Sequence, residues 1–285
     1  MSYQEIIIIG APRSGTNMLR DILTSLKDIS TWPCDEINYI WRHGNVRYPS
    51  DEIPVNNFNI SIRNYIQQQF SQIHKKYNAE YVVEKTCANS LRVPFVDAVI
   101  PNAKYIFIYR DGIDATGSAK ERWTAELDIP YILEKVKFVP IIDLPYYGIR
   151  YLWARIYRFF STEKRLAFWG PALKNMQSLM HRYTLHEVCA LQWQRCVDKA
   201  EEALLAMPSD KVIRVCYEDF VRSPKNELSR ILEFIGIRLP DNDLAAAVSC
   251  VSSRNIGKGR KALGDNEVSE LEALVSNTLH RLGYK

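Results

Sequence analysis

Ile6-Ile7-Ile8-Ile9-Gly10-Ala11-Pro12-Arg13-Ser14-Gly15-Thr16 is the stretch that most narrows what this chain can fold into. A β-branched run ends at Gly10, a turn follows, and Asn17 to Leu26 carries apolar residues at helical spacing. Strand, glycine turn and helix start in that order aim backbone N–H groups and the positive end of a helix at one point, which is an anion site. In the Walker pattern G-x-x-x-x-G-K-[ST], the lysine after the second glycine reaches the β- and γ-phosphates and the next hydroxyl holds magnesium. Thr16 and Asn17 stand at those two positions here. The loop therefore predicts a phosphate cradle without the equipment for γ-phosphate chemistry, and Arg13 supplies a cation earlier in the turn. It suits a less highly charged donor that needs no metal.

Strand signals recur near 4–10, 80–84, 104–109 and 211–216, separated by helical patterns that end near Leu26, Met207, Ile235 and Leu282. Such alternation predicts an α/β fold with a mainly parallel central sheet and helices on both faces. Ligands on sheets of this kind bind beyond the carboxyl ends of the strands, and Gly10, Lys85, Arg110 and Tyr217 all fall at or just after predicted strand ends. The 285 residues, 47% hydrophobic, can bury one sizeable core, so a single domain over 1–285 is expected, with an insertion over 124–183. A formal charge of +4 argues against bulk nucleic-acid binding while allowing a local basic pocket. Cys34, Cys87, Cys189, Cys196, Cys216 and Cys250 form no C-x-x-C pair, which reads as reduced, buried thiols and no metal site. The opening isoleucines are too few for a signal peptide or a membrane span, so no transmembrane segment and a soluble, cytoplasmic chain are expected.

Pro12-Arg13-Ser14-Gly15-Thr16 resembles the 5′-phosphosulfate loop of the sulfotransferases, which move a sulfuryl group from 3′-phosphoadenosine 5′-phosphosulfate (PAPS) to an acceptor. Glu84-Lys85-Thr86 is similar to the family's E-K-T/S-P segment, with Cys87 where proline is usual. Tyr105-Ile106-Phe107-Ile108-Tyr109-Arg110-Asp111-Gly112 with Ser118 is similar to its 3′-phosphate strand and helix. Val215-Cys216-Tyr217-Glu218-Asp219-Phe220, then Pro224 and Phe234-Ile235-Gly236-Ile237, resembles its late strand-helix-helix signature. These matches run in order from about residue 5 to about residue 263. The closest likeness in motif style is to heparan-type, tyrosyl-protein and bacterial members, on the P-loop-like fold of the family.

The resemblance implies PAPS as donor, 3′-phosphoadenosine 5′-phosphate (PAP) as product and no metal. Arg13, Ser14, Gly15, Thr16 and Asn17 would hold the 5′ end; Asn17 departs from the family's second threonine but still donates a hydrogen bond. The plain alternative for Ser14 and Thr16 is that they cap the following helix, a role compatible with donor binding. Arg110 replaces the aspartate that would hold magnesium in a triphosphatase, and with Ser118 it would grip the 3′-phosphate through its guanidinium fork. Asp111 and Asp114 read as a helix cap and a first-turn acid, structural in role. Lys85 would stabilise charge building on the leaving phosphate, together with Arg13, and Glu84 would orient Lys85 or the strand end.

An acceptor hydroxyl must lose a proton as it attacks, which calls for a base within hydrogen-bond reach. By resemblance that base is Glu36, with Asp35 as substitute; His43 is a nearby alternative whose context after Trp41-Arg42 does not match the cytosolic enzymes' histidine. Lys258, Gly259 and Arg260 in the basic turn Arg254–Lys261 would close over the 3′-phosphate side, and Tyr217 would pack on the nucleotide or in the core. The insertion interleaves Tyr146, Tyr147, Tyr151, Trp153, Tyr157, Phe159, Phe160, Phe168 and Trp169 with Arg150, Arg155, Arg158, Lys164 and Arg165. That mixture fits a small-molecule, glycan or lipid-linked acceptor, peripheral contact with an anionic membrane, or plain packing. Alternatives to sulfuryl transfer are a P-loop nucleotide or small-molecule kinase and a non-catalytic PAPS-binding protein.

Overall fold

The isoleucines of the opening strand are fully buried, and they divide between two cores. In the computed structural model, which describes residues 3–123, 137–149 and 169–285, Ile7 and Ile9 join Val82, Tyr105 and Phe107 on one side of the sheet. Ile6 and Ile8 join Val83, Ile106 and Ile108 on the other. Successive strand residues point to opposite faces, so a strand covered on both sides reads as an unbroken apolar run. Each such side chain contributes roughly 1.5–3 kcal/mol on burial, which makes this strand the natural centre of the fold.

The sheet has the order β2-β3-β1-β4-β5, with every pairing parallel. Its strands are β1 (Gln4–Ile9), β2 (Ile29–Ser30), β3 (Tyr81–Lys85), β4 (Lys104–Tyr109) and β5 (Val212–Cys216). The expected α/β fold with a mainly parallel sheet is borne out, and β2 is the strand that the periodicity missed. Its two residues are too short to show an alternation.

Helices α1 (Thr16–Thr24) and α6 (Pro224–Ile235) cover one face through Leu19, Ile22, Leu23, Leu228, Ile231 and Leu232. Helices α2 (Ile60–Tyr77), α3 (Val93–Val99), α4 (Gly112–Trp123) and α5 (Leu185–Leu205) cover the other, with Ile66, Phe70, Phe95, Ile113 and Trp193 among their buried side chains. Local chemistry starts several of them. The Asn59 side chain accepts from the Ile62 N–H at 2.9 Å, and Thr184 with Glu187 forms a capping box that opens α5.

The described residues include Tyr146, Tyr147 and Trp169 of the insertion, whereas Tyr151, Trp153, Tyr157, Phe159, Phe160, Phe168 and the cations Arg150, Arg155, Arg158, Lys164 and Arg165 lie outside them. Among the described residues no helix is long and apolar enough to cross a membrane. The cysteines are unpaired, with Cys87, Cys189 and Cys196 buried as expected and Cys250 exposed.

Candidate active site

Because the strands are parallel, residues that follow their carboxyl ends meet along one edge. Gly10 follows β1, Lys85 ends β3, Arg110 follows β4 and Tyr217 follows β5. Two adjoining cavities open there, of about 770 Å³ and about 390 Å³, and both are lined by Arg13, Arg110, Tyr217 and Asn255. These sizes are those of small-molecule sites.

The loop after β1 is shaped by two left-handed residues, Arg13 at φ 68° and Gly15 at φ 87°. Gly15 is required twice over, since a Cβ there would also meet the Tyr217 ring at 2.5 Å. Gly15 is itself the N-cap of α1, and no side chain caps this helix. The capping reading of Ser14 and Thr16 is therefore corrected: Gly15 takes the N-cap position, Ser14 precedes it and Thr16 is already the first helical residue. Thr16 Oγ1 instead meets Cys87 Sγ at 3.7 Å, and Ser14 Oγ is fully buried without a hydrogen-bond partner among the described residues. A buried hydroxyl without a partner beside an uncapped helix start leaves hydrogen-bonding groups that the described residues do not satisfy.

Lys85, Asp35 and Glu36 meet across the larger cavity. Lys85 Nζ lies 3.0 Å from Glu36 Oε1 and 3.2 Å from Asp35 Oδ1, and its side chain is 1% exposed. Burial alone would lower the Lys85 pKa; Glu36, Cys87 and Asp35 outweigh it and hold the ammonium well above its ordinary value. The Cys87 backbone N–H also donates to Glu36 Oε1, at 3.2 Å, and Thr86 Oγ1 accepts from the Ile37 N–H at 3.1 Å. Lys85, Thr86 and Cys87 thus grip the Asp35–Ile37 segment, fixing a carboxylate whose loop length gave no register of its own. Asp35 is further engaged by Arg20, whose Nη1 lies 2.8 Å from its Oδ1. Glu84 points away from Lys85: it is fully buried, accepts from Asn89 Nδ2 at 2.9 Å, and burial pushes its carboxyl up to about 7. The alternative base His43 pairs with Asp143 at 2.8 Å and lines neither cavity.

The smaller cavity collects Ser118, Lys258, Gly259 and Lys261 beside the shared residues. Arg13 Nε donates to Ser118 Oγ at 2.9 Å, which brings the loop cation against the helix hydroxyl. The expected fork of Arg110 faces elsewhere. Its Nε and Nη2 both donate to Asp114, its Nη2 also to the Asn255 carbonyl at 2.7 Å, and its Nη1 to the Arg13 carbonyl at 2.9 Å. The guanidinium also stacks on Tyr217, 4.4 Å from the ring centroid. Tyr217, 5% exposed, serves the core and the cavity wall together. Arg260 is paired with Glu272 at 2.5 Å and Asp111 at 3.1 Å, and lines neither cavity. Lys261 lines the smaller one in its place.

Sequence reasoning passed over several residues that the fold brings here. Gly170, Pro171, Asn38 and Tyr39 line the larger cavity beside Trp169 of the aromatic insertion. Their signal was the position of Trp169 in the aromatic insertion, which pointed to the region without choosing residues. Asp111 does cap α4, accepting from the Ile113 N–H at 2.9 Å. Asp114 does more than its first-turn position implied, since it meets Arg110 and the turn before Arg260 at once.

A family profile described as "Sulfotransferase family" matches residues 5–163 and 155–241, well over half of the chain. The chain belongs to that family. Sulfotransferase 1A1 of Bos taurus is 31% identical to the chain over 94 residues, which is 33% of the chain and 31% of that relative's length. Among solved structures, sulfotransferase STF9 from Mycobacterium avium superposes with a TM-score of 0.56 at 12% identity, covering 99% of the chain and 77% of that structure. Mouse sulfotransferase SULT7A1 complexed with PAP does so with a TM-score of 0.52 at 14% identity, covering 97% and 85%. At such identities the likeness is one of fold, and the fold includes the edge on which the chain's cavities open.

Proposed function

We propose that this chain transfers a sulfuryl group from PAPS to an acceptor hydroxyl of a glycan, a lipid-linked sugar or a small metabolite. The observation that carries this reading is one cavity wall shared by a lysine-less phosphate loop, the ammonium of Lys85 and the carboxylate of Glu36. Family membership supports the reaction class.

The residues present fit the donor. Ser14 Oγ is buried and unsatisfied, the start of α1 is uncapped, and Ser118, Lys258 and Lys261 line the adjoining cavity. Arg13, Ser14, Gly15, Thr16 and Asn17 would hold the 5′ end, and Arg110, Ser118, Lys258 and Lys261 the 3′-phosphate. The donor supplies an activated sulfuryl group whose sulfur–oxygen bond to phosphate breaks as the bond to the acceptor oxygen forms. Glu36 takes the acceptor proton; Asp35, already engaged by Arg20, holds Lys85 from the other side. Lys85 and Arg13 are fixed cations whose attraction grows as negative charge gathers on the leaving phosphate. Positioning and fixed charge carry the rate enhancement, as in phosphoryl transfer.

Thermal stabilisation by PAP and by ATP with magnesium separates this reading from a kinase. Stronger stabilisation by PAP is expected; preference for ATP with magnesium overturns the reading. Transfer of labelled sulfate to cell-extract acceptors, followed by mass spectrometry, then identifies the product, and PAP binding with no transfer would favour a non-catalytic binder.

A further inference from the structure

We propose that Asp114 is a positioning residue for recognition of the 3′-phosphate: its buried carboxylate ties Arg110 to the 257–260 turn and so sets where the cations of the smaller cavity stand. This rests on the reading of that cavity as the 3′-phosphate subsite. Asp114 is 1% exposed and lies in the first turn of α4. Its Oδ1 accepts from the N–H groups of Gly259 at 2.6 Å and Arg260 at 3.2 Å. Its Oδ2 accepts from the Gly257 N–H at 3.0 Å and from Arg110 Nε at 3.1 Å, with Arg110 Nη2 closer still.

The donor count on Arg110 shows what this does. A guanidinium has five N–H groups. Nε spends its hydrogen on Asp114, Nη2 spends both on Asp114 and the Asn255 carbonyl, and Nη1 spends one on the Arg13 carbonyl. One hydrogen on Nη1 is left for a ligand. Arg110 therefore offers a fixed charge and a single donor, and the remaining grip falls to Ser118, Lys258 and Lys261. Both lysines belong to the turn and short helix that Asp114 pins.

Backbone packing fixes the same turn independently. A Cβ on Gly117 would meet the Gly259 carbonyl oxygen at 2.0 Å, and one on Gly259 would meet the Asp114 carbonyl oxygen at 1.9 Å. The turn thus sits directly on α4, in one register. Charge makes the role testable by sign. A carboxylate beside an anion subsite repels the anion, so its removal should tighten anion binding if Asp114 were a bystander. If it positions the cations, removal weakens binding.

Titration calorimetry with PAP and with adenosine 5′-phosphosulfate, which lacks the 3′-phosphate, measures both ends of the site. For Asp114→Asn we expect PAP affinity to fall by about tenfold or more while adenosine 5′-phosphosulfate stays within about twofold, because charge-assisted hydrogen bonds are lost only on the 3′ side. Hydrogen exchange at the 257, 259 and 260 amides should quicken in the same variant. Unchanged or tighter PAP binding overturns the inference. Should the wild-type protein show no preference for PAP over adenosine 5′-phosphosulfate, the subsite reading itself falls and takes the inference with it. Gly259→Ala keeps the carboxylate and displaces the turn, so it should lose PAP selectively even if Asp114→Asn does not fold; retained affinity there counts equally against the proposal.

Discussion

Glu36 is held by the backbone of Cys87, whose N–H donates to Glu36 Oε1 at 3.2 Å while Lys85 Nζ reaches the same oxygen at 3.0 Å. Proline, usual in this family at the position of Cys87, has no N–H to give. Cys87 therefore gives the proposed base a contact that a proline at this position could not make. It also places a thiol beside Thr16 at the mouth of the phosphate loop.

Cys87→Ala keeps the backbone donor and should leave sulfate transfer within about threefold of wild type, whereas Cys87→Pro removes it and should lower transfer by about tenfold or more. The comparison is read by initial rates of labelled-sulfate transfer. Equal rates in the two variants would show that the Cys87 N–H does not position Glu36.

Glu36→Gln keeps the shape and loses the base, so the transfer rate should fall by roughly 10²–10⁴ with PAP affinity preserved. Asp35→Asn should fall less, because the Asp35 carboxylate is already committed to Arg20 and Lys85. A larger loss in Asp35→Asn would exchange the two roles. Binding calorimetry run beside the rate assay separates lost chemistry from lost donor.

Glu84 gives the fold a pH dependence. Burial raises its carboxyl from an ordinary 4.5 to about 7. The folded protein therefore holds this proton more tightly than the unfolded chain. Its contribution to stability is fully present below about pH 4.5, declines as the pH rises and is lost above about pH 7, a change of up to roughly 3 kcal/mol. Glu84→Gln stays neutral throughout, so between about pH 5 and about pH 8 its melting temperature should fall less than that of the wild type. Parallel curves for the two proteins would remove Glu84 as the source.

Gly15→Ala forces a side chain into a left-handed residue, at roughly 1–2 kcal/mol, and presses it onto the Tyr217 ring. The loop should shift more than the core, so PAP affinity should fall by about tenfold or more with a small change in melting temperature. Calorimetry that found normal PAP affinity would mean that the loop geometry is not required for donor binding.

The fold class was legible in the sequence, as were the glycine turn after β1 and the edge of the sheet on which it lies. Ile6 to Ile9 could be read as a strand buried on both faces, and Gly10 to Thr16 as an anion turn, because strand period and turn chemistry are written in windows of a few residues. The tertiary structure decided which groups line the cavities. Arg110 turns its fork to Asp114, Arg260 turns to Glu272 and Asp111, and Lys261 takes the wall that Arg260 was expected to line. Glu36 gains its place from Lys85 and Cys87. The contacts of Glu36 with Lys85 and Cys87, of Arg110 with Asn255 and of Arg260 with Asp111 join segments tens to more than a hundred residues apart, so they depend on how those segments register against each other, and no local pattern records that register.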